Sequence, residues 1–349
     1  MNETSRYPQS FLDYLPEPPM GNLEYRRKLE ISYASDEANI HPIYTLLKVT
    51  ERCNSHCVYC GHGTVKENVD LSTLQLTNVI NQLAQVGTTS VNLSGGEPLL
   101  RDDLPELVRH AKSRSLFPVL LTNGLLLEKR QAELRGTGLG MVIVSIDSIS
   151  AEAYQATRGV PLAPVLEGID ALLAWPDEER PVVSVTSVVT GNNIAELEQL
   201  VDYFGSRGIG VKFTPYHHHG RWEDDRLSPT DLLVYRQTIE RLQEVKRDGR
   251  GVLNSHAYLD GFSRFSSRER KLPKGYRCYC GYTTLFIDSK LNVRSCWSQG
   301  LPVAGNLHEQ LLADIIDGPR MRIMRGRIRQ LRCERCWLLC TAEISLRFQ

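Results

Sequence analysis

The stretch IYTLLKVTERCNSHCVYC, residues 43–60, decides how this chain is interpreted. Its first part, IYTLLKVT, is a short apolar run that predicts a buried β-strand. Three cysteines, Cys53, Cys57 and Cys60, follow that strand in the spacing C-x-x-x-C-x-x-C. Thiolates this close together can bind one face of a [4Fe–4S] cluster, which normally takes four thiolates. We therefore expect a cluster with one iron open to an exogenous ligand.

Zinc is the alternative occupant of this cysteine loop. A structural zinc ion takes four protein ligands in a closed tetrahedral site. His56 or His62 could supply the fourth ligand beside the three cysteines. The spacing of the cysteines alone leaves both metals open.

Strand-like and helix-like segments alternate from this stretch to residue 249. The predicted strands are 43–50, 90–94, 118–124, 141–147, 182–189 and 211–216. The predicted helices are 71–87, 104–114, 126–136, 150–157, 162–175, 193–208 and 228–249, the last capped by Ser228. This alternation indicates an α/β fold of parallel βαβ units. Six units are too few for a complete barrel, so a partial (β/α)6 TIM-like barrel or a doubly wound sheet is expected, with chemistry at the C-terminal strand ends.

The alternation stops after residue 250, where a second group of cysteines appears. We expect an N-terminal arm over residues 1–42, a barrel over 43–250 and a small cysteine-rich C-terminal domain over 251–349. Within the last of these, TTLFIDSKLNVRSC at 283–296 predicts a β-hairpin. The close cysteine spacings predict metal sites rather than disulfides.

Composition and charge argue against several classes of protein. The chain has 349 residues, of which 41% are hydrophobic, and its 41 basic and 41 acidic side chains leave a net charge of zero. This balance argues against nucleic acid and anionic membranes as partners, and no apolar run is long enough to span a bilayer. The N-terminus lacks the basic start and apolar core of a secretory signal. We therefore expect a cytoplasmic protein whose cysteines are reduced.

Motifs at the predicted strand ends resemble those of the radical S-adenosylmethionine (SAM) superfamily. Its signature places an aromatic residue before the last cysteine of the loop, here Tyr59. The segment GGEP at 95–98, which ends the second strand, matches the family's GGEP motif. TNG at 122–124 and SID at 145–147 resemble its third-strand turn and its ribose-side segment, and Arg158 lies where many relatives hold an arginine that faces the SAM carboxylate.

The resemblance implies a SAM site and a radical reaction. SAM would chelate the open iron of the Cys53–Cys57–Cys60 cluster, and Glu97 would accept a hydrogen bond from its ammonium. One electron from a reductant such as flavodoxin or ferredoxin would cleave SAM, and the resulting 5′-deoxyadenosyl radical would abstract a hydrogen atom from substrate. The expected SAM-binding residues are Tyr59, Gly95, Gly96, Glu97, Asn123, Ser145 and Arg158.

The second cysteine group resembles the twitch or SPASM extension of one branch of the superfamily. In that extension, an auxiliary [4Fe–4S] cluster is held by the cysteines at the two ends of a hairpin and by a later cysteine pair. A full SPASM domain has seven cysteines and two auxiliary clusters, so we favour one cluster here. Its expected ligands are Cys280 or Cys278, Cys296, Cys333 and Cys336, which leaves Cys340 and one hairpin cysteine as spare thiols. The six cysteines in question are Cys278, Cys280, Cys296, Cys333, Cys336 and Cys340. A zinc ribbon is the alternative.

Catalytic residues are harder to predict. YHHHGR at 216–221 ends the sixth strand, and strand ends in this fold face the substrate. Adjacent strand residues point to opposite faces, so His217 and His219, with Arg221, are candidates for substrate contact or acid–base work. Packing or a solvated loop is the alternative. Either spare thiol, Cys278 or Cys340, could donate a hydrogen atom. The basic tail MRIMRGRIRQLR at 321–332 is interpreted as a solvated helix face beside an anionic cluster.

The leading functional hypothesis is a radical SAM oxidoreductase or epimerase that acts on a small polar molecule. Twitch relatives include sugar and aminocyclitol dehydrogenases and epimerases of antibiotic pathways. The expected substrate is a sugar, an aminocyclitol or a nucleoside-type metabolite of natural-product biosynthesis. Another branch, in molybdenum cofactor synthesis, has a Gly-Gly tail, whereas this chain ends in LRFQ. The main alternative is a maturase of ribosomally made peptides. That class commonly carries an N-terminal peptide-binding domain longer than the 42 residues before the first strand. A non-catalytic iron–sulfur or zinc module is the third hypothesis.

Overall fold

The computed structural model describes residues 7–35, 40–60, 70–217, 227–265, 271–297 and 301–349. His62, His219 and Arg221 lie outside the described residues. Among the helices that are described, none is long and apolar enough to cross a membrane.

One nine-stranded sheet organises the chain, in the order β6-β5-β4-β3-β2-β1-β7-β8-β9. The strands are β1 Tyr44–Thr50, β2 Ser90–Gly95, β3 Phe117–Thr122, β4 Met141–Ser145, β5 Val182–Val189, β6 Gly210–Pro215, β7 Thr284–Ile287, β8 Asn292–Arg294 and β9 Gly305–Asn306. Strands β1 to β6 pair in parallel with their sequence neighbours, as the alternation predicts. The partial barrel is therefore confirmed, and its six strands match the predicted segments closely.

Helices connect these strands and cover the outer face of the barrel. They are α1 Asn22–Ser35, α2 Thr73–Gln85, α3 Leu104–Ser113, α4 Leu127–Leu134, α5 Ala151–Arg158, α6 Ala163–Leu173, α7 Leu197–Gly205, α8 Leu232–Arg247, α9 His256–Arg264, α10 Leu312–Asp317 and α11 Pro319–Arg329. Helix α8 begins later than expected because Asp231, not Ser228, is its cap: the Asp231 carboxylate accepts from the backbone N–H groups of Leu233 and Val234.

Both faces of the sheet are buried, which explains the continuous apolar runs of its strands. On β1, Leu47 and Val49 point outward into the core shared with the helices. Tyr44 and Leu46, which alternate with them, point into the barrel. There the short helical turn at Phe11–Tyr14 packs against the first residues of several strands and closes the N-terminal end of the barrel.

The predicted hairpin at 283–296 is present and extends the barrel sheet. Strand β7 pairs in parallel with β1, from Tyr44 opposite Thr284 to Leu47 opposite Ile287. Strand β8 then pairs antiparallel with β7. The hairpin cysteines are thereby placed beside β1, the strand that precedes Cys53.

Helix α9 attaches the last segment of the chain to the barrel through Trp337. The Tyr258 hydroxyl donates to the Trp337 carbonyl at 2.7 Å, and the Trp337 indole N–H donates to the Tyr258 carbonyl at 2.9 Å. Gly261 lies under this fully buried indole, since a β-carbon added there would be 1.9 Å from the Trp337 Cζ2 atom.

Gly261→Ala should lower the free energy of unfolding by about 2 kcal/mol, because overpacking against a buried ring costs more than the gain in helix propensity. Gly205→Ala is the matched control: it is also a helical glycine, but its β-carbon would meet nothing closer than 3.7 Å. The control should be neutral or stabilising by up to about 1 kcal/mol. Urea unfolding followed by fluorescence measures both, and equal effects would contradict the packing described for Trp337.

Candidate active site

The cysteine loop lies against the GGEP segment through direct backbone contacts. The Gly96 N–H donates to the Thr50 carbonyl at 2.9 Å, and the Glu97 N–H donates to the Arg52 carbonyl at 2.8 Å. A β-carbon on Gly96 would lie 2.1 Å from the Arg52 carbonyl oxygen. The glycines therefore permit close approach to the backbone before Cys53. Their expected contact with SAM stays a prediction.

Glu97 connects GGEP to the TNG turn. Its side chain is fully buried and accepts three hydrogen bonds, from the Leu99 N–H at 2.9 Å, the Thr122 hydroxyl at 2.7 Å and the Asn123 N–H at 2.7 Å. Burial raises the pKa of this carboxyl to about 7, against the opposing effect of these donors. The structure thus gives Glu97 a positioning role. Its Oε2 atom accepts only the Asn123 N–H and can take a further donor, so the contact with the SAM ammonium stays a prediction.

Asn123 connects the TNG turn to the cysteine loop. Its side-chain amide donates to the Asn54 Oδ1 atom at 2.8 Å and approaches the Cys53 sulfur at 4.0 Å. Its own Oδ1 accepts from the Leu125 N–H at 2.9 Å. The TNG turn thus holds the first cysteine of the loop in place. Burial raises the pKa of the Cys53 thiol to about 11.

The other side of the loop is held by the C-terminal end of α5. The Arg158 carbonyl accepts from the His56 N–H at 3.1 Å and from the Ser55 hydroxyl at 2.7 Å, and the Thr157 carbonyl accepts from the Val58 N–H at 2.9 Å. These carbonyls have no partner within their own helix. The loop therefore supplies the hydrogen bonds that the end of α5 needs.

Arg158 and Asp147 form a buried ion pair beside this loop. The Arg158 Nε and Nη2 atoms donate to the two carboxylate oxygens of Asp147 at 2.7 and 3.0 Å, and its Nη1 lies 3.9 Å from the Cys57 sulfur. The Tyr59 hydroxyl also donates to Asp147, at 2.5 Å. The Val188 N–H on β5 donates to the same carboxylate at 2.8 Å.

Asp147 is thus a site residue whose importance the sequence analysis missed. It was noted only as part of the SID segment, although an acidic residue that ends a buried strand is a usable signal. The expected arginine at position 158 is in place but is committed to Asp147. Ser145, two residues earlier, contributes instead to a cavity.

A partly open cavity of about 290 Å³ lies within the barrel. Tyr59 and Arg158 line it on the side of the cysteine loop, Ser145, Thr186 and Thr214 line it from the strands, and Cys340 lines it on the side of the C-terminal segment. The cavity therefore extends from Tyr59 of the cysteine loop to Cys340 of the second cysteine group.

Two buried ionisable groups, Lys212 and Glu343, lie close to each other on the Phe11 side of the barrel, and the first of them lines the cavity. Lys212 is on β6, and its Nζ lies 3.3 Å from the Ser184 hydroxyl and 4.5 Å from the centre of the Phe11 ring. Burial lowers the pKa of Lys212 to about 7, and nearby Glu343 acts in the opposite direction. Burial raises the pKa of Glu343 to about 7. Sequence patterns did not single out either residue, because a lysine within an alternating strand normally faces solvent.

The C-terminal cysteines gather in one region. The Cys280 thiol is hydrogen-bonded to Cys278 and to Cys296. The charges of Cys296 and Cys278 both act on Cys333, Cys336 and Cys340. Over the described residues, no group of three or more His, Cys, Asp or Glu side chains has the geometry to hold a single metal ion.

His217 supports this C-terminal segment. Its ring Nε2 lies 3.1 Å from the Arg335 carbonyl, between Cys333 and Cys336, and its ring stacks with Phe265 at a centroid distance of 6.0 Å. The residue is only 7% exposed. This is the packing role that the sequence analysis kept as the alternative to substrate contact.

The chain forms a partial parallel barrel with a three-cysteine loop after its first strand and a second cysteine group beside it. This combination defines a class of iron–sulfur enzymes. The sequence matches the radical SAM superfamily over residues 47–204 and the SPASM iron–sulfur cluster-binding domain over 278–337. The chain belongs to the radical SAM superfamily and carries a SPASM-type auxiliary domain. SAM and [4Fe–4S] clusters are therefore its cofactors.

The curated relatives include GTP 3′,8-cyclases. The chain is 30% identical over 214 residues to a probable GTP 3′,8-cyclase of Methanococcus vannielii, which spans 58% of this chain and 72% of the relative. It is 27% identical over 310 residues to GTP 3′,8-cyclase 1 of Mycobacterium tuberculosis, 80% of this chain and 83% of the relative. Among solved structures, SuiB of Streptococcus suis bound to SAM shares the fold, with a TM-score of 0.69, 16% identity, and coverage of 90% of this chain and 75% of that chain.

Asp147→Asn should lower the free energy of unfolding by about 3 kcal/mol, since breaking a buried pair leaves the Arg158 charge uncompensated. Asp177→Asn is the matched control, because Asp177 pairs with Arg180 at the surface with its side chain 86% exposed. The control should change stability by less than about 0.5 kcal/mol. Chemical denaturation of the cluster-free proteins measures both. A loss no larger than that of the control would show that the buried pair does not hold the site together.

Proposed function

We propose that this radical SAM enzyme abstracts a hydrogen atom from a sugar-type carbon of a small polar molecule held in the barrel cavity. The observation that carries the proposal is the cavity itself, which connects Tyr59 and Arg158 with Cys340. Its walls offer hydroxyl, amine and thiol groups and its volume suits a small molecule rather than a folded polypeptide.

The relatives' names support a nucleoside-type substrate among the classes that the sequence left open. GTP is a nucleotide, and a 3′,8-cyclase is named for a reaction at a ribose carbon. Sugar and aminocyclitol substrates share that chemistry, a carbon that carries both a hydrogen and a hydroxyl group. Neither antibiotic pathways nor an oxidoreductase or epimerase outcome has support in those names, and a cyclisation is a further possible outcome.

In this proposal Cys53, Cys57 and Cys60 hold the cluster whose open iron takes SAM. Tyr59, Arg158 and Ser145 bound the space next to it. The GGEP segment and the TNG turn act on the cluster indirectly, because their contacts fix the backbone of the cysteine loop. The residues concerned are Gly95, Gly96, Glu97 and Asn123. When bound and reduced, this pair of cofactors supplies a 5′-deoxyadenosyl radical. The protein orients the substrate and excludes water from that radical.

Two side chains on the cavity wall separate the outcomes that follow hydrogen abstraction. The Cys340 thiol can return a hydrogen atom to a carbon radical, as an epimerase requires. The Lys212 amine, whose pKa of about 7 lets it exchange a proton near neutrality, can take the hydroxyl proton of the substrate, as a dehydrogenase requires. The electron that remains on the substrate would then pass to the auxiliary cluster. We place the auxiliary cluster on Cys296, Cys333, Cys336 and one of Cys278 and Cys280.

Cys57→Ala should lower the iron content of the reconstituted protein by about four atoms per chain, because two thiolates cannot hold an open-iron cluster. SAM cleavage should be lost with it. Cys340→Ala is the control, since a spare thiol can be removed without loss of iron. Iron and sulfide analysis measures both. An iron loss in Cys340→Ala would show that Cys340 is a cluster ligand, and retained SAM cleavage in Cys57→Ala would contradict the assignment of the first cluster.

Deuterium transfer tests the substrate class. The reconstituted protein is reduced with dithionite and supplied with SAM and one ring-deuterated compound at a time: GTP, guanosine, a hexose phosphate or an aminocyclitol. We expect one of them to deliver deuterium into 5′-deoxyadenosine, which mass spectrometry detects. The Cys57→Ala protein serves as the blank. Transfer from a deuterated peptide and from none of these compounds would overturn the proposal in favour of the peptide-maturase class.

The same assay distinguishes the outcomes once a substrate is found. If the product is an epimer, Cys340→Ala should keep deuterium transfer and lose the product. If the product is a ketone, Lys212→Met should lose it while Ser184→Ala, which removes only the hydrogen-bonding neighbour of the amine, retains it.

A further inference from the structure

Helix α11 and the turn that follows it concentrate positive charge beside the second cysteine group. Seven arginines lie between Pro319 and Cys336, with Glu334 as the one acidic side chain among them. The chain as a whole has a net charge of zero, so this concentration is a local feature. The sequence analysis interpreted it only as a solvated helix face.

Five of these arginines are exposed: Arg320, Arg322, Arg327, Arg332 and Arg335. Within the described part of the chain, no carboxylate forms an ion pair with any of the five. Arg241, an exposed arginine elsewhere, is paired with Glu198. Single exposed arginines such as Arg207 and Arg247 have no carboxylate partner among the described residues either, so the distinctive feature here is the concentration of five within sixteen residues. We call the five residues together with Ile323 the arginine face.

The arginine face has an apolar centre. Ile323 is 59% exposed on α11. With 3.6 residues per turn, Arg320 and Arg327 lie on the same face of the helix as Ile323, and Arg322 lies on its other flank. An apolar contact surrounded by charged side chains is the arrangement of many specific but transient protein interfaces.

The arginine face also lies next to the cysteines that we assign to the auxiliary cluster. Helix α11 ends four residues before Cys333. Arg332 and Arg335 flank that cysteine in the chain, and Cys333 and Cys336 are themselves partly exposed. An electron therefore has a short path between a protein bound at this face and the cluster.

We propose that the arginine face is the docking site of a small acidic electron carrier, of the flavodoxin or ferredoxin type, which exchanges one electron with the auxiliary cluster. Charge complementarity selects the partner, since guanidinium groups that no described carboxylate neutralises attract and orient an acidic surface. In the reducing direction, the hydroquinone of a flavodoxin gives up one electron and becomes a semiquinone. The auxiliary cluster that the C-terminal cysteines would hold could take that electron, so the transfer would balance as one electron lost by the flavin and one gained by the cluster.

Binding of oxidised flavodoxin to the reconstituted protein tests the docking site. Flavin fluorescence gives the dissociation constant at low and at physiological salt. Arg322→Glu/Arg327→Glu should weaken binding about tenfold or more, and the affinity of the unaltered protein should fall as salt is raised. Arg207→Glu/Arg247→Glu is the matched control: it makes the same change in charge, at exposed positions on and beside α7 and α8, next to β6 at the opposite edge of the sheet. The control should bind flavodoxin within about twofold of the unaltered protein.

Stopped-flow reduction of the auxiliary cluster gives a second readout that is independent of any substrate. Flavodoxin hydroquinone should reduce the cluster about tenfold more slowly in the Arg322→Glu/Arg327→Glu protein, whereas dithionite, which needs no docking, should reduce both proteins equally. SAM cleavage with dithionite reports separately on the proposed function. Equal binding in the variant and the unaltered protein would overturn the proposal and leave a solvated face. Binding of RNA but not of flavodoxin at this face would overturn it in favour of a nucleic-acid site.

Discussion

The buried Asp147–Arg158 ion pair is the contact through which the barrel, the cysteine loop and the fifth strand are joined. Asp147 follows β4, Arg158 ends α5, and the same carboxylate also accepts from Tyr59 in the loop and from the Val188 N–H. Two buried charges are tolerated because each is satisfied by several hydrogen bonds. The carbonyl of Arg158 then receives the loop backbone, so one residue anchors the loop through both its side chain and its main chain.

A second constraint comes from the pairing of β7 with β1. The edge of a parallel sheet leaves backbone groups that must find partners, and the hairpin of the C-terminal domain supplies them. This pairing fixes the second cysteine group at the side of the barrel where the first group lies. The cavity is a consequence, since its wall is completed by Leu338, Leu339 and Cys340 from the same domain.

Sequence reasoning worked where the signal is local. The strands, most helices, the hairpin and the cysteine loop follow from hydrophobic period and residue spacing, and the structure and the family matches confirm them. The roles of Glu97 and Gly96 were harder to predict, because their contacts involve Asn123 and Arg52, which are distant in sequence from them. Nor could spacing show that Lys212 faces a cavity closed by Phe11, since that cavity exists only when the N-terminal arm folds against the barrel.

Lys212 and Glu343 show how such a cavity can hold a proton. A charged lysine or carboxylate loses hydration when it is buried, and each group responds by moving its pKa toward neutrality: downward for Lys212 and upward for Glu343. The Ser10 hydroxyl and the Ser255 N–H both donate to one Glu343 oxygen, at 2.7 and 2.8 Å, while the other oxygen has no hydrogen-bond partner among the described residues. Because the pKa of each group lies near 7, either group can accept or release a proton at neutral pH. Removal of a proton from the hydroxyl group of a substrate needs a side chain whose pKa lies near 7. An enzyme that only returned a hydrogen atom through a thiol would not need such a side chain.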